Sequence, residues 1–245
     1  MMRIAKRLLL ILCVWASTSS LYAQSLVVTR NFESAPCSEE SAQYKNESEA
    51  PSFGGHEYVD LGLSVKWATC NVGANKPEDY GDYFAWGETE PKATYDWGSY
   101  KWCCGSHDKL TKYNNQSSYG TVDNKTQLEL SDDVARVNWG GSWRMPTWAE
   151  QDELREQCTW KWTTKNGVKG YKITSKKNGN SIFLPAAGCR VGSSLNSAGS
   201  YGLYLSSSLN ANYPYYVWYV DFDFRGVDRN CYTRYLGFSV RPVCQ

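Results

Sequence analysis

Apolar and polar positions alternate from Val217 to Phe224 with the period of two that a strand lying on a core imposes. Trp218, Val220, Phe222 and Phe224 share one face, and Val217, Tyr219, Asp221 and Asp223 share the other. The first face is expected to be core and the second to point outward. A second alternation sets Phe238 and Val240 against Ser239 and Arg241, which predicts a closing strand with Arg225 to Tyr235 as the connection. Upstream, Tyr58 to Leu63 and Ser64 to Thr69 read as a hairpin of short strands, Tyr80 to Trp86 as an aromatic strand or loop edge, and Lys169 to Ile173 and Ser181 to Pro185 as further strands. One helix is sharply signalled. Pro146 stops the preceding segment, and Thr147 with Glu150 three residues on makes a capping box, with Ala149, Leu154 and Cys158 marking the buried side. A second helix is expected after Ser131, where Asp132 and Asp133 suit the positive end of the helix dipole. Gly98 to Tyr119 is polar and aromatic with few aliphatic residues, the pattern of a long surface loop. The sum is an α+β class with more strand than helix.

The first 23 residues have a different pattern. Arg3, Lys6 and Arg7 precede the apolar run Leu8 to Ala16, and Leu21-Tyr22-Ala23 is the expected cleavage motif before Gln24. This predicts a secretory signal over 1–23, its apolar run being too short to span a bilayer. Cys13 lies inside that run and follows Leu12, where a lipoprotein signal places a small residue, so membrane association is expected only through an unidentified attachment. Residues 24–55 are rich in Ser, Glu and Ala and read as a tether, leaving 56–245 as one domain. Loss of the signal takes the formal net charge from +1 to −2, which provides no electrostatic footprint for nucleic acid.

Export makes the cysteines informative. Of the 9, Cys37, Cys70, Cys103, Cys104, Cys158, Cys189, Cys231 and Cys244 remain after cleavage. An even number in an exported chain points to disulfides, with about 105 connectivities open. No zinc spacing is present, and His56 and His107, the chain's 2 histidines, read as surface residues. No cofactor is expected.

Between Tyr201 and Tyr235 lie eight of the 18 tyrosines, interleaved with Ser, Asn, Asp and Arg. Tyr supplies rigid contact area at low entropic cost while Ser and Asn supply adaptable hydrogen bonds, so this is a recognition composition. Asp221 and Asp223, roughly 7 Å apart on one strand face, have the residue types of a glycosidase pair, which would also need one raised pKa and a pocket around both; two exposed acids are more often solvated or binding residues. Trp67, Trp86, Trp139, Trp143, Trp160 and Trp162 read as core and loop anchors before a carbohydrate platform. Glu90-Pro91-Lys92 has the outline of a calcium-dependent sugar motif, with Lys92 placing a cation where a carbonyl ligand is needed.

An ordered series of motifs carries a resemblance. Asn138-Trp139-Gly140-Gly141-Ser142-Trp143-Arg144-Met145-Pro146-Thr147, then Phe183-Leu184-Pro185-Ala186-Ala187-Gly188, Tyr204-Leu205-Ser206-Ser207-Ser208 and Gly237-Phe238-Ser239-Val240-Arg241-Pro242-Val243 resemble the Fibrobacter succinogenes major paralogous domain. Asp60 to Ala68 and Tyr83 to Thr89 are similar to its Bacteroides-type versions. The resemblance implies a C-type-lectin-like fold shared with formylglycine-generating enzymes, with small antiparallel sheets, about two helices, long loops, and first and last strands close together. Cys70, which follows the first hairpin, and Cys158, which ends the capped helix, are the expected disulfide pair. The oxidase relatives use two closely spaced cysteines near the C-terminus. Here Cys231 has no such companion, since Leu236 stands in its place, so no catalysis is expected.

The same fold is that of retroelement-diversified variable proteins, in which adenine-directed substitution alters a C-terminal segment. Asn210, Asn212, Tyr213, Tyr215, Tyr216, Tyr219, Asp221, Asp223, Arg225, Asp228, Arg229, Asn230, Cys231, Tyr232, Arg234 and Tyr235 are nearly all residues that an asparagine codon reaches by such changes. Apart from Cys231, they form the expected binding surface of an exported recognition or adhesion protein, its ligand a surface protein or a glycan. A carbohydrate-binding module is the alternative.

Overall fold

The computed structural model describes residues 51–245. The signal 1–23 and the tether up to residue 50 lie outside the described residues. Those described form twelve strands and two α-helices: β1 (Ser52–Phe53), β2 (His56–Val59), β3 (Lys66–Ala68), α1 (Val134–Trp139), α2 (Trp148–Gln157), β4 (Cys158–Lys165), β5 (Val168–Ser175), β6 (Ser181–Pro185), β7 (Cys189–Val191), β8 (Ser194–Asn196), β9 (Gly202–Leu209), β10 (Tyr216–Asp223), β11 (Gly226–Thr233) and β12 (Val243–Cys244). Small antiparallel sheets, two helices and long loops place the chain in the α+β class. No described helix is long and apolar enough to cross a membrane.

The chain closes on itself. One sheet runs β1-β2-β3-β12, so that the final strand pairs with β3 through Val243↔Trp67 and Cys244↔Lys66. Ser52 and Phe53, within the segment read as tether, pair with Glu57 and His56, and the Phe53 carbonyl accepts from Trp143 Nε1 at 2.8 Å. A second sheet, β4-β5-β6, places Ile173, Ile182 and Leu184 in the core.

The third sheet, β11-β10-β9, divides the interior. Leu205, Leu209, Val217 and Tyr219 pack on one side against Trp86, Leu236 and Phe238, while Tyr204, Val220 and Phe222 pack on the other against Trp67, Leu154 and Leu184. Strand β10 is therefore buried on both faces, and the expectation that Val217, Tyr219 and Asp223 point outward is corrected. The alternation detects one apolar face, but a central strand with a core on each side has no outward face. Phe224, expected in the core, is 71 % exposed because β10 ends at Asp223 and the chain turns. Gly202 makes the close approach possible, since a Cβ there would sit 2.1 Å from the Phe222 ring.

Two further expectations change. Gly226–Thr233 is strand β11, paired with β10 from Tyr216↔Thr233 to Asp223↔Gly226, and no loose connection. The closing alternation instead makes isolated bridges, Phe84↔Phe238 and Tyr204↔Ser239, with Ser239 and Arg241 fully buried. Arg241 has no outward face because its guanidinium donates to Asn71 Oδ1 and to the carbonyls of Ala68, Thr69 and Phe183.

Helix α2 starts where the capping box places it. Thr147 Oγ1 accepts from the Glu150 N–H at 3.2 Å, and Glu150 Oε2 accepts from the Thr147 N–H at 2.8 Å. Glu150 also holds Arg144, and that pairing keeps the carboxyl below its ordinary pKa against the opposing effect of burial. Leu154 and Cys158 are buried as expected, but Ala149 is exposed. Gln151 takes the inward position and donates to the Tyr204 and Leu205 carbonyls of β9. Asp133 caps α1 by accepting from Ala135 and Arg136.

Candidate ligand-binding surface

The β10–β11 hairpin carries the expected surface, and β11 is the edge strand of its sheet. Asn212, Tyr213, Arg225, Asp228, Arg229, Asn230 and Tyr232 are exposed; Tyr215, Tyr216, Asp221, Cys231 and Tyr235 are half-buried. Asn210, Tyr219, Asp223 and Arg234 are buried and are corrected from contact residues to framework. Each has a physical reason. Tyr219 packs on Phe238 with ring centroids 5.0 Å apart, and desolvation pushes its phenol up. Asn210 Oδ1 accepts from the N–H groups of Asn212 at 3.0 Å and Tyr213 at 3.3 Å, folding the turn before β10. Asp223 accepts from the Arg225 N–H and Nε, both at 2.8 Å, and that partner holds its carboxyl down to about 2.

Arg234 is the anchor of the region. Its side chain is 0 % exposed, and its nitrogens donate to Tyr100 Oη and to the carbonyls of Tyr113, Pro214 and Lys112 at 2.7–3.0 Å. The guanidinium also lies 5.1 Å from the Trp86 ring and 5.2 Å from that of Tyr100. One buried cation thus ties the long loop 98–119 to the turn before β10. Asn115 and Gln116 add a brace by donating to the Ala211 and Asn212 carbonyls.

On this scaffold the aromatic side chains form a continuous run. Tyr232 stacks on Tyr216 at 5.8 Å and 12°, Tyr216 meets Tyr215 at 4.5 Å, Tyr215 meets Tyr119 at 5.0 Å and His107 at 5.4 Å, and Trp97 lies between His107 and Tyr235. Tyr213 flanks the run at 6.0 Å from Tyr215. His107, read as a surface residue, is exposed and belongs to it. Tyr119 and His107 fall in the loop that is aromatic but poor in aliphatic residues, with Trp97 immediately before it, and that imbalance is the sequence signal for them.

Two other features flank the hairpin. Asp221 and Asp228 face each other across β10 and β11. Desolvation first, then Asp228, pushes the Asp221 carboxyl up to about 6, and its buried Oδ1 has no hydrogen-bond partner among the described residues. Asp221 and Asp223 therefore have well-separated pKa values, but Asp223 is occupied by Arg225, which also reaches Tyr201 Oη at 2.8 Å. On the side facing α2, Trp148, Trp218 and Arg229 border a cavity of about 350 Å³. Trp148 is 41 % exposed and lies outside the set of tryptophans singled out from the sequence. In that set Trp67, Trp86 and Trp143 are buried, and Trp139, Trp160 and Trp162 half-buried.

All seven described cysteines are free thiols, which corrects the expected Cys70 and Cys158 pair. Cys158 packs with Leu61, Leu154 and Ile173, whereas Cys70 borders a different cavity with His56 and Trp139. Cys231 is on β11, and Cys244 is buried on β12 beside Ala68 and Trp143. No grouping of three metal-ligating side chains occurs among the described residues. Lys92 of the calcium-like motif is held by Glu88 at 2.9 Å. No protein-family model matches the chain, and no curated protein or solved structure matches it.

Proposed function

We propose that this chain is an exported recognition protein of C-type-lectin-like fold that binds a surface ligand, a protein or a glycan, through the β10–β11 hairpin and its bracing loop. The observation that carries this reading is the run of aromatic side chains in contact from Tyr232 to Tyr235, one pair stacked and the rest edge-on or tilted, standing on a framework that buried Arg234 fixes. Rigid aromatic anchors on a preorganised turn meet the entropic requirement of recognition before any ligand arrives. The adjacency of the N-terminal hairpin and β12 in one sheet supports the lectin-like fold and the kinship with the Fibrobacter succinogenes major paralogous domain. The protein works by binding, and no catalytic step is assigned to it.

Burial divides the positions open to diversification. Asn212, Tyr213, Arg225, Asp228, Arg229, Asn230 and Tyr232 can vary while the fold is kept, whereas Asn210, Tyr219, Asp223 and Arg234 cannot, because each satisfies or fills the interior. A reverse transcriptase gene nearby, with a template copy carrying adenines at the exposed codons, would support diversification; its absence leaves a fixed binding surface. Binding is tested by flow cytometry of the labelled mature protein on intact bacterial and animal cells. Replacing Tyr216 and Tyr232 by Ala is expected to abolish capture with no change in thermal unfolding. Undiminished capture would overturn the site.

A further inference from the structure

The cavity between α2 and the β10–β11 hairpin has features that the aromatic run lacks. The Arg229 guanidinium lies 4.9 Å from the Trp148 ring centroid and 5.0 Å from that of Trp218, so two indoles flank one planar cation. Arg229 Nη1 is also paired with Asp152 at 2.5 Å. The stack fixes both rings, and Trp148 still presents 41 % of its surface to solvent.

The polar wall is equally fixed. Asn210 is only 4 % exposed, and because its Oδ1 accepts two backbone N–H groups, the amide orientation is set and Nδ2 is the free end. Nδ2 makes no hydrogen bond among the described residues, although Asn210 lines the cavity. The side-chain amide of Asn212 and Arg229 Nε and Nη2 are likewise unpartnered among the described residues. Gln127, in contrast, is consumed: its Oε1 accepts from Ser208 Oγ at 2.9 Å and its Nε2 donates to Ser207 Oγ.

We infer that this cavity is a subsite for one pyranose ring of a neutral saccharide. An exposed indole offers a flat apolar face to the C–H side of the ring, while Asn210, Asn212 and Arg229 offer hydrogen-bond donors at fixed positions to its hydroxyls. The volume, about 350 Å³, is at the small end of small-molecule pockets, roughly 300–1,000 Å³. The charge pattern excludes other ligands. Asp152 neutralises Arg229, so an anion gains little, and no carboxylate lines the cavity to receive a cation. The amides of Asn210 and Asn212 would be left without partners under an acyl chain. This site names one chemistry for the proposed recognition function but stands on different residues from the aromatic run, so the two fail separately.

The test uses the mature protein on an array of immobilised neutral oligosaccharides built of glucose, galactose, mannose and N-acetylglucosamine units. The strongest binder is then titrated in solution by calorimetry. Wild type is expected to bind, Trp148→Ala to bind roughly 30-fold or more weakly, as for loss of an anchor residue, and Tyr216→Ala with Tyr232→Ala to bind like wild type. Asn212→Ala, at an exposed turn position, is the second variant and is expected to weaken binding several-fold without affecting the fold. Thermal unfolding establishes that each variant is folded. No binding to any neutral saccharide overturns the inference, as does binding that survives Trp148→Ala and Asn212→Ala. Binding lost only with the tyrosines assigns the saccharide to the aromatic run and overturns this site.

Discussion

Arg234 and Arg229 lie five positions apart at the same end of the molecule, both against aromatic rings, yet they belong to opposite kinds of structure. Arg234, just past β11, is sealed from solvent and donates to four acceptors, three from the loop 98–119 and one from the turn before β10. Arg229 is on the open edge of β11, its side chain 36 % exposed and held by one carboxylate. Residue type and local sequence do not separate them; the number of interior groups that each satisfies does. A buried donor set is part of the fold, because removing it strands its acceptors. An exposed ion pair contributes little to stability and is free to serve a ligand.

That contrast sets the order of expected effects. Arg234→Ala should be the most damaging change, destabilising the domain by about 3–4 kcal/mol in urea unfolding, since four acceptors lose their donor away from water. Gly202→Ala should follow at about 1–3 kcal/mol, because the added methyl drives into the Phe222 ring. Thr147→Ala should cost about 1 kcal/mol by releasing the Glu150 N–H from its cap. Arg229→Ala should change stability by under about 1 kcal/mol. Comparable losses at Arg229 and Arg234 would break the division between framework and contact surface.

Asp221 sharpens the comparison through pH. Its carboxyl is raised from 3.8 to about 6, so the folded state binds a proton that the unfolded chain has already lost. The sign follows: stability is unaffected below the unfolded value and falls as pH rises from 3.8 to about 6. Asp221→Asn should therefore stabilise the domain at pH 7 by about 1 kcal/mol, discounted because the side chain is half-buried, and should have no effect near pH 3.5. Equal gains at both values would attribute the effect to something other than the Asp221 proton.

The sequence makes local features readable and hides those that depend on partners. The start of α2 is set within four residues by Thr147 and Glu150, and the strand at Val217 by its own alternation. That β10 is covered on both faces depends on Trp86 and Phe238 on one side and Trp67 and Leu184 on the other, all remote in sequence from it. The same holds within the site. Tyr213, Tyr216 and Tyr232 are identifiable from composition, but the burial of Arg234 requires Tyr100, Tyr113 and Pro214 to converge. Trp148 escapes notice because an aromatic residue at the first position of a helix is indistinguishable, in one dimension, from a core anchor.

Burial separates the proposed contact surface from its framework. The most direct test of this division is saturation replacement at Asn212, Tyr213, Asp228, Arg229, Asn230 and Tyr232, and in parallel at Asn210, Tyr219, Asp223 and Arg234, with folded display and cell capture measured on the same library. Most changes in the first group are expected to leave display intact and reduce capture, while most in the second abolish display. A library in which the first group changes display, or leaves capture untouched, would contradict this division.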